Sequence, residues 1–257
     1  MHNCMVKNIY LKIFFIAVFF LGGAINVFAI SPYEVPILVY HSFGPAKNAK
    51  ETALQIHYRV TADTFEKQMK YLSDNAYHPI SFSTYVDSLK NNTKLLKKAI
   101  VLSFDDGWET QYIYAVPILE KYNFTATFFI VTSYPGSRLY MSWNDLKDLV
   151  VHNFDIESHT KTHAMLTKIS SEKLTSELNE SKKMLEAKLN IKVTTFAYPY
   201  YAQNLVVRDA VKFAGYIGAR GGWGKFKNSI DHIYELKTQE VVNNPSPFSY
   251  KRLPDLP

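Results

Sequence analysis

The chain has 257 residues, 47% of them hydrophobic and 15% aromatic, with a formal charge of +6. This length and composition suit one domain with a substantial core and do not require a second. The sequence has no block of basic residues interleaved with aromatics, which argues against nucleic acid as a partner. Its only cysteine, Cys4, lies near the N-terminus, so the sequence predicts neither a disulfide framework nor a catalytic cysteine in an exported chain.

The N-terminus has the pattern of a targeting segment. Lys7 and Lys12 precede an apolar run over residues 13–24, and Val27 and Ala29 then place small residues at the two positions that a signal peptidase prefers. This pattern predicts a secretory signal peptide over residues 1–29, cleaved after Ala29. The alternative is an uncleaved membrane anchor, because the apolar run extended through Ile30 approaches the length of a bilayer span. Both readings predict an exported protein of the periplasm, cell envelope or medium, with residues 30–257 as its domain.

The remaining chain alternates strand patterns with helix patterns. Apolar runs predict strands over 35–40, 99–104, 124–131, 154–158, 193–197 and 216–219. Helical periodicity predicts helices from Asp63, where Glu66 would complete a capping box, and over 83–90, 110–122, 143–150, 171–189 and 204–214. Such alternation predicts an α/β fold with parallel strands. In a barrel of this kind, the active site forms at the carboxyl ends of the strands.

Two motifs at predicted strand ends carry most of the chemistry. Asp105 and Asp106 follow one apolar strand, and His159 and His163 follow another. Adjacent carboxylates raise each other's pKa unless a positive group lies beside them, which a metal would explain. The four-residue spacing of the histidines would put both imidazoles on one face of a helical turn. One Asp with two His is a recognised ligand set for Zn²⁺ or Fe²⁺. The sequence therefore predicts a metal-assisted hydrolase.

Three stretches together resemble the leading motifs of the polysaccharide deacetylases, carbohydrate esterase family 4. They are residues 103–107 (SFDDG), 159–163 (HTKTH) and 196–200 (FAYPY), within a resemblance that covers about residues 35–240. The resemblance implies a deformed (β/α) barrel and one divalent metal ion, zinc first, with cobalt, nickel or iron as alternatives. It implies that Asp106, His159 and His163 are the metal ligands and that Asp105 is the general base acting on metal-activated water. It also implies that the backbone N–H of Tyr200 stabilises the oxyanion.

The chain departs from the usual pattern of the family in two places. Tyr198 stands near the position where the family commonly has an Arg oriented on the base. Residues 236–238 (LKT) lack the late histidine that supplies the acid. Both departures resemble the branch that acts on poly-N-acetylglucosamine, whose early Tyr-His sequence matches residues 39–42 (VYHS). On this resemblance His41 is the expected acid, and His232 is the alternative.

Four further residues are expected to bind the substrate: Tyr198, Pro199, Trp143 and Trp223. Trp143 fits core packing equally well at its helical spacing, and Trp223 could cover a loop rather than stack on a sugar ring.

The sequence thus predicts an exported, metal-dependent N-deacetylase of polysaccharides that contain N-acetylglucosamine. We expect a monomer that associates with the membrane or cell envelope. Two alternatives stay open, an esterase acting on O-acetyl sugars and a catalytically impaired glycan-binding homologue. The sequence does not specify the polymer.

Overall fold

The computed structural model describes residues 29–30, 35–44, 58–223 and 228–242. The predicted signal peptide, apart from Ala29, lies outside these residues. Ala29 and Ile30, on either side of the predicted cleavage site, pair antiparallel with Leu96 and Leu95.

Short strands and amphipathic helices alternate along the described chain. The strands are β1 (Ala29–Ile30), β2 (Ile37–Tyr40), β3 (Ser42–Phe43), β4 (Arg59–Val60), β5 (His78–Ile80), β6 (Leu95–Leu96), β7 (Ala99–Asp106), β8 (Thr127–Ile130), β9 (Asp155–Ser158), β10 (Thr195–Ala197), β11 (Gly218–Trp223) and β12 (Leu236–Glu240). The α-helices are α1 (Ala62–Asp74), α2 (Phe82–Asn91), α3 (Val116–Lys121), α4 (Trp143–Val151), α5 (Ser171–Leu189) and α6 (Leu205–Phe213). Single turns of 3₁₀ helix cover Leu166–Lys168, Pro199–Tyr201 and Ile230–His232.

Seven strands close into a parallel barrel. They run in the order β2, β12, β11, β10, β9, β8 and β7, and β7 pairs with β2 to complete the ring. The closing pair is in register from Ile37 opposite Val101 to Tyr40 opposite Phe104. β5 pairs with the first half of β7, and β8 pairs with its second half. The predicted deformed (β/α) barrel is confirmed.

The core has two parts because barrel strands are buried on both faces. Alternate residues of the strands form the inner cluster, which α2 joins: Ile37, Val101, Phe129, Ala197 and Leu236 with Phe82 and Tyr85. The residues between them pack outward against the helices: Leu102, Phe104, Phe128, Ile156 and Phe196 with Phe65, Leu146 and Leu185. Aromatic and branched side chains fill both layers, as the sequence pattern indicates.

A carboxylate links two strands that share little backbone pairing. β9 and β10 pair only through Phe196 and Ser158. Beside that pair, buried Glu157 accepts hydrogen bonds from the backbone N–H groups of Thr194 and Thr195 at 2.9 and 2.7 Å. Burial, with the nearby Asp155 charge, raises the pKa of Glu157 well above its usual value despite these bonds.

The capping box predicted at the start of the first helix was wrong. α1 begins at Ala62 after Thr61, whose hydroxyl accepts the N–H of Thr64, so the capping box starting at Asp63 does not form. Glu66 instead accepts the Tyr122 hydroxyl at 2.9 Å and pairs with Lys121.

The helix predicted over 110–122 is irregular. It begins as a π-helical turn, Gln111–Ala115, and continues as α3, which contains Pro117. β5 and β12 carried no strand prediction. Among the described helices, none has the length and hydrophobicity needed to cross a membrane.

Candidate metal-dependent active site

The carboxyl ends of the barrel strands surround a cleft of about 610 Å³. Asp105 and Asp106 end β7, His159 follows β9, and His41 follows β2. These four side chains line the cleft together with His163. The topology therefore brings the two predicted motifs to one edge of the barrel, as expected for parallel strands.

The three predicted metal ligands converge on one point. Asp106 Oδ1 lies 3.2 Å from His163 Nε2 and 3.5 Å from His159 Nε2. One ligand atom from each residue lies within 4.8 Å of the other two. Asp106 Oδ1 is buried and accepts no hydrogen bond from the described residues. A buried carboxylate oxygen facing two imidazole nitrogens fits a divalent cation of the zinc type.

Each ligand is oriented by a second contact. The Nδ1–H of His159 donates to the carbonyl oxygen of Ala197 at 2.7 Å, which leaves Nε2 to face the site. His163 Nδ1 contacts the Tyr200 hydroxyl at 3.1 Å. Trp108 Nε1–H donates to the other oxygen of Asp106 at 2.9 Å. Outer hydrogen bonds of this kind fix the tautomer and orientation of metal ligands.

The electrostatics favour an anionic Asp106. Burial raises its pKa, but the His159 and His163 imidazoles that face its Oδ1 outweigh burial and hold the pKa well below its usual value. Burial lowers the pKa of His159, whereas the charges of Asp105 and Asp106 raise it, and the net direction is upward. Asp106 therefore offers one negative charge to a cation.

The histidine pair does not lie on a helical turn, contrary to the sequence prediction. Residues 159–163 form a loop in which Thr160 and His163 have φ values of +71° and +61°. The hydroxyl oxygen of Thr160 accepts the N–H of His163 at 2.9 Å and closes the loop. The i, i+4 spacing thus brings the imidazoles together through a tight turn rather than a helix.

Arg220 is a functional residue that the sequence analysis missed. Its guanidinium, 1% exposed, pairs with Oδ1 of Asp105, which is 5% exposed, and lies over the Phe129 ring at 4.5 Å. The other oxygen of Asp105 lies 4.0 Å from the Nε2 atoms of His41 and His159. The Arg that pairs with the predicted base therefore comes from β11, not from the third motif. The available signal was an arginine within a buried, glycine-rich strand, where charge is rare unless paired.

Gln111 is a second missed residue. From the π-helical turn, its fully buried amide donates to the backbone carbonyls of Asp105 and His41 at 2.5 and 2.7 Å. One side chain thus joins the ends of β7 and β2, where the predicted base and acid lie. π-Helical turns occur frequently at functional sites.

The two histidines considered for the acid lie in different surroundings. His41 is 19% exposed in the cleft, with its ring 4.9 Å from the Tyr58 ring. His232 is 60% exposed, pairs with Glu235 at 2.7 Å, and is not among the residues that line the cleft. Position therefore favours His41 over His232, and the acid role of His41 stays a prediction.

The third motif forms one wall of the cleft. Tyr200 and Tyr201 have φ values of +57° and +54°, an uncommon conformation for residues other than glycine. Tyr198 and buried Pro199 precede them, and the Tyr198 hydroxyl donates to the carbonyl of Tyr234 at 3.0 Å. Tyr198 lines the cleft. The oxyanion role of the Tyr200 N–H and the substrate contacts of Tyr198 and Pro199 stay predictions.

Of the two tryptophans predicted to bind substrate, Trp143 lies away from the described cleft lining. Trp143 begins α4 and packs against the outer core, in keeping with the packing alternative. Trp223 ends β11, and its side chain lies outside the described part. Trp108, which the sequence analysis did not single out, does line the cleft and stacks on Tyr140 at 4.7 Å.

Fold and site together define a parallel (β/α) barrel protein with a carboxylate and two histidines arranged for a cation at its strand ends. A protein-family model described as polysaccharide deacetylase matches residues 92–219, about half of the chain. The chain belongs to the polysaccharide deacetylase family.

Individual relatives agree with this assignment. The Bacillus subtilis protein YxkH, which its name places among polysaccharide deacetylases, is 30% identical over 185 residues, 72% of this chain and 63% of its own. The Staphylococcus aureus poly-beta-1,6-N-acetyl-D-glucosamine N-deacetylase is 31% identical over 175 residues, 62% of this chain and 59% of its own. The chain thus spans about three fifths of the length of these curated relatives.

A solved structure extends the likeness to the whole barrel. The Streptococcus pyogenes deacetylase PplD, in complex with acetate, superposes with a TM-score of 0.78 at 26% identity. The match covers 88% of this chain and 99% of that one.

Proposed function

We propose that this protein is an exported, metal-dependent hydrolase that removes N-acetyl groups from polysaccharides containing N-acetylglucosamine. The observation that carries the proposal is the convergence of Asp106, His159 and His163 beside an Asp105 carboxylate that Arg220 holds. The family, and the acetylglucosamine polymer named for the Staphylococcus aureus relative, support the substrate class. The N-terminal pattern over residues 1–29 supports export.

Asp106, His159 and His163 would hold the cation, which as a Lewis acid supplies polarisation of the acetamide oxygen and activation of water. Asp105 acts as general base, because Arg220 occupies one carboxylate oxygen and leaves the other facing the cleft. That oxygen takes a proton from the attacking water while a new C–O bond forms at the acetyl carbon.

Breaking the acetamide C–N bond requires a proton on the departing nitrogen. His41 faces Asp105 and is in position to give that proton, yielding the amine and acetate. The backbone N–H of Tyr200 serves as an oxyanion donor beside the ligands. Gln111 keeps base and acid together by binding both backbone carbonyls.

The test is acetate release by the mature protein from a substrate panel. The panel contains oligomers of β-1,6-linked N-acetylglucosamine, chitin oligomers and acetylated xylan, with Asp105→Asn as the matched variant. We expect release from an N-acetylglucosamine oligomer and its loss in Asp105→Asn. Release only from xylan would instead support the O-acetyl esterase, and glycan binding without any release would support the binding homologue.

A further inference from the structure

Helix α5 contacts the histidine loop through one row of side chains. Ser181 shares a hydrogen bond of 2.8 Å with Ser158, the residue before His159. One turn earlier on the helix, Glu177 accepts the backbone N–H of Thr162 at 2.7 Å and the Thr162 hydroxyl at 2.6 Å. Thr162 lies directly before His163, so the helix contacts both ends of the loop that carries the two histidines.

The surroundings of the Glu177 side chain stabilise its anionic form. Its side chain is 0% exposed, and Lys173 lies 3.0 Å from the oxygen that accepts the Thr162 hydroxyl. Burial raises its pKa, but the bonds from Thr162 and the Lys173 charge outweigh burial and lower the pKa below its usual value. Both carboxylate oxygens are therefore committed to the loop, and neither is among the atoms that line the cleft.

The loop needs such an anchor because its backbone is strained. Thr160 and His163 both adopt left-handed φ values, each of which costs about 1–3 kcal/mol in a residue other than glycine. Such conformations persist only where the surrounding structure fixes them. The Thr160 hydroxyl fixes the loop from within, and Glu177 fixes it from the helix.

We propose that Glu177 is a positioning residue that holds His163 in its metal-ligating orientation by anchoring Thr162. The proposal rests on the metal site of the proposed function, and it adds a residue 14 positions beyond that site in sequence. Glu177 acts through the loop backbone, not by touching metal or substrate. Partners of this kind are typically worth about 10–100-fold in metal affinity.

The test measures zinc affinity by competition with a chromophoric chelator, alongside urea unfolding of the metal-free protein. We expect Glu177→Ala to weaken zinc binding about 10–100-fold. Glu177→Gln keeps the shape and can still accept the Thr162 N–H, so we expect it to restore most of the affinity. Thr162→Val removes the hydroxyl bond alone and should weaken binding by an intermediate factor.

The matched control is Glu180→Gln on the same helix. Glu180 pairs with Lys161 of the same loop, but this pair is exposed, and we expect unchanged affinity because exposed pairs contribute little. A Glu177→Ala protein that binds zinc like the wild type overturns the proposal, whatever its unfolding free energy. If Glu177→Ala does not fold, wild-type affinity in Thr162→Val overturns it instead.

The readout separates this proposal from the proposed function. A wild-type protein that binds zinc and deacetylates nothing contradicts the proposed function, while the Glu177 variants still decide the positioning role. A wild-type protein that binds none of Zn²⁺, Co²⁺ and Ni²⁺ overturns both.

Discussion

The buried pair between Arg220 and Asp105 makes a quantitative prediction. The two side chains are 1% and 5% exposed, so Arg220→Met leaves a buried carboxylate without its cation. Removing one partner of a buried pair costs about 3–5 kcal/mol. The guanidinium also lies over Phe129, and a cation–π contact adds about 0.5–2 kcal/mol. We therefore expect Arg220→Met to lower the free energy of unfolding by about 4 kcal/mol.

The assay is urea unfolding of the metal-free protein, monitored by circular dichroism. It compares the wild type, the two single variants and the double variant in a double-mutant cycle. Asp105→Asn in the Arg220→Met background removes the unpaired charge, so the double variant should be more stable than Arg220→Met alone. We expect a coupling energy of about 2–3 kcal/mol. Lys70→Met is the control, because Lys70 pairs with Asp74 at 63% and 58% exposure and should lose about 0–1 kcal/mol.

Two results would refute this reasoning. One is a loss below about 1 kcal/mol in Arg220→Met, the range of exposed pairs. The other is strict additivity of the Arg220 and Asp105 substitutions. Either would mean that Asp105 does not depend on the Arg220 charge, and the orientation of the base would need another cause.

Three further predictions concern the metal site, the acid and a buried carboxylate. Trp108→Phe removes the N–H that binds Asp106, so zinc affinity should fall about 10–100-fold in chelator competition with unfolding unchanged; equal affinity would contradict it. His41→Ala should lower kcat about 10²–10⁴-fold while zinc affinity stays at the wild-type value; an unchanged kcat removes His41 as the acid. Glu157 has a raised pKa in the folded state, so above about pH 4.3 the native form keeps a proton that the unfolded chain releases. Wild-type stability should fall as pH rises towards the folded pKa, and Glu157→Gln should flatten that fall in urea unfolding at pH 5, 6, 7 and 8; parallel profiles would contradict it.

The barrel was predictable because its signals are local. Apolar runs alternate with amphipathic helices, and α5 has the bounds, 171–189, that its helical periodicity predicts. The aspartates and histidines follow those runs directly, so parallel pairing alone brings them to one edge of the barrel. The choice of Asp106 over Asp105 as the predicted metal ligand came from the family resemblance, not from the strand pattern.

Arg220 could not be predicted in the same way. It lies 115 residues from Asp105 in sequence, and only closure of the barrel places β11 so that its side chain reaches the end of β7. Gln111 depends likewise on a π-helical turn that no periodicity indicates. Both residues act through contacts between distant strands and turns, which sequence patterns do not encode locally.

Tertiary contacts also decided the local errors. Two caps competed at the start of α1, and Thr61 prevails while Glu66 turns to Tyr122 on a neighbouring element. At the histidine pair, the predicted helical turn is replaced by a loop with two left-handed residues, held by side-chain bonds to Thr160 and from Thr162. The i, i+4 spacing correctly predicted that the two imidazoles lie together, but it wrongly predicted a helical backbone between them.

The central claim is metal-dependent N-deacetylation at this site, and one measurement tests it most directly. Acetate release from N-acetylglucosamine oligomers is measured for the mature protein as prepared, after chelation, and after Zn²⁺, Co²⁺ or Ni²⁺ is added back. The Asp106→Ala variant is measured under the same conditions. The account predicts loss on chelation, recovery with at least one metal, and no recovery in the variant. Release that survives complete chelation, or full activity in Asp106→Ala, would contradict it.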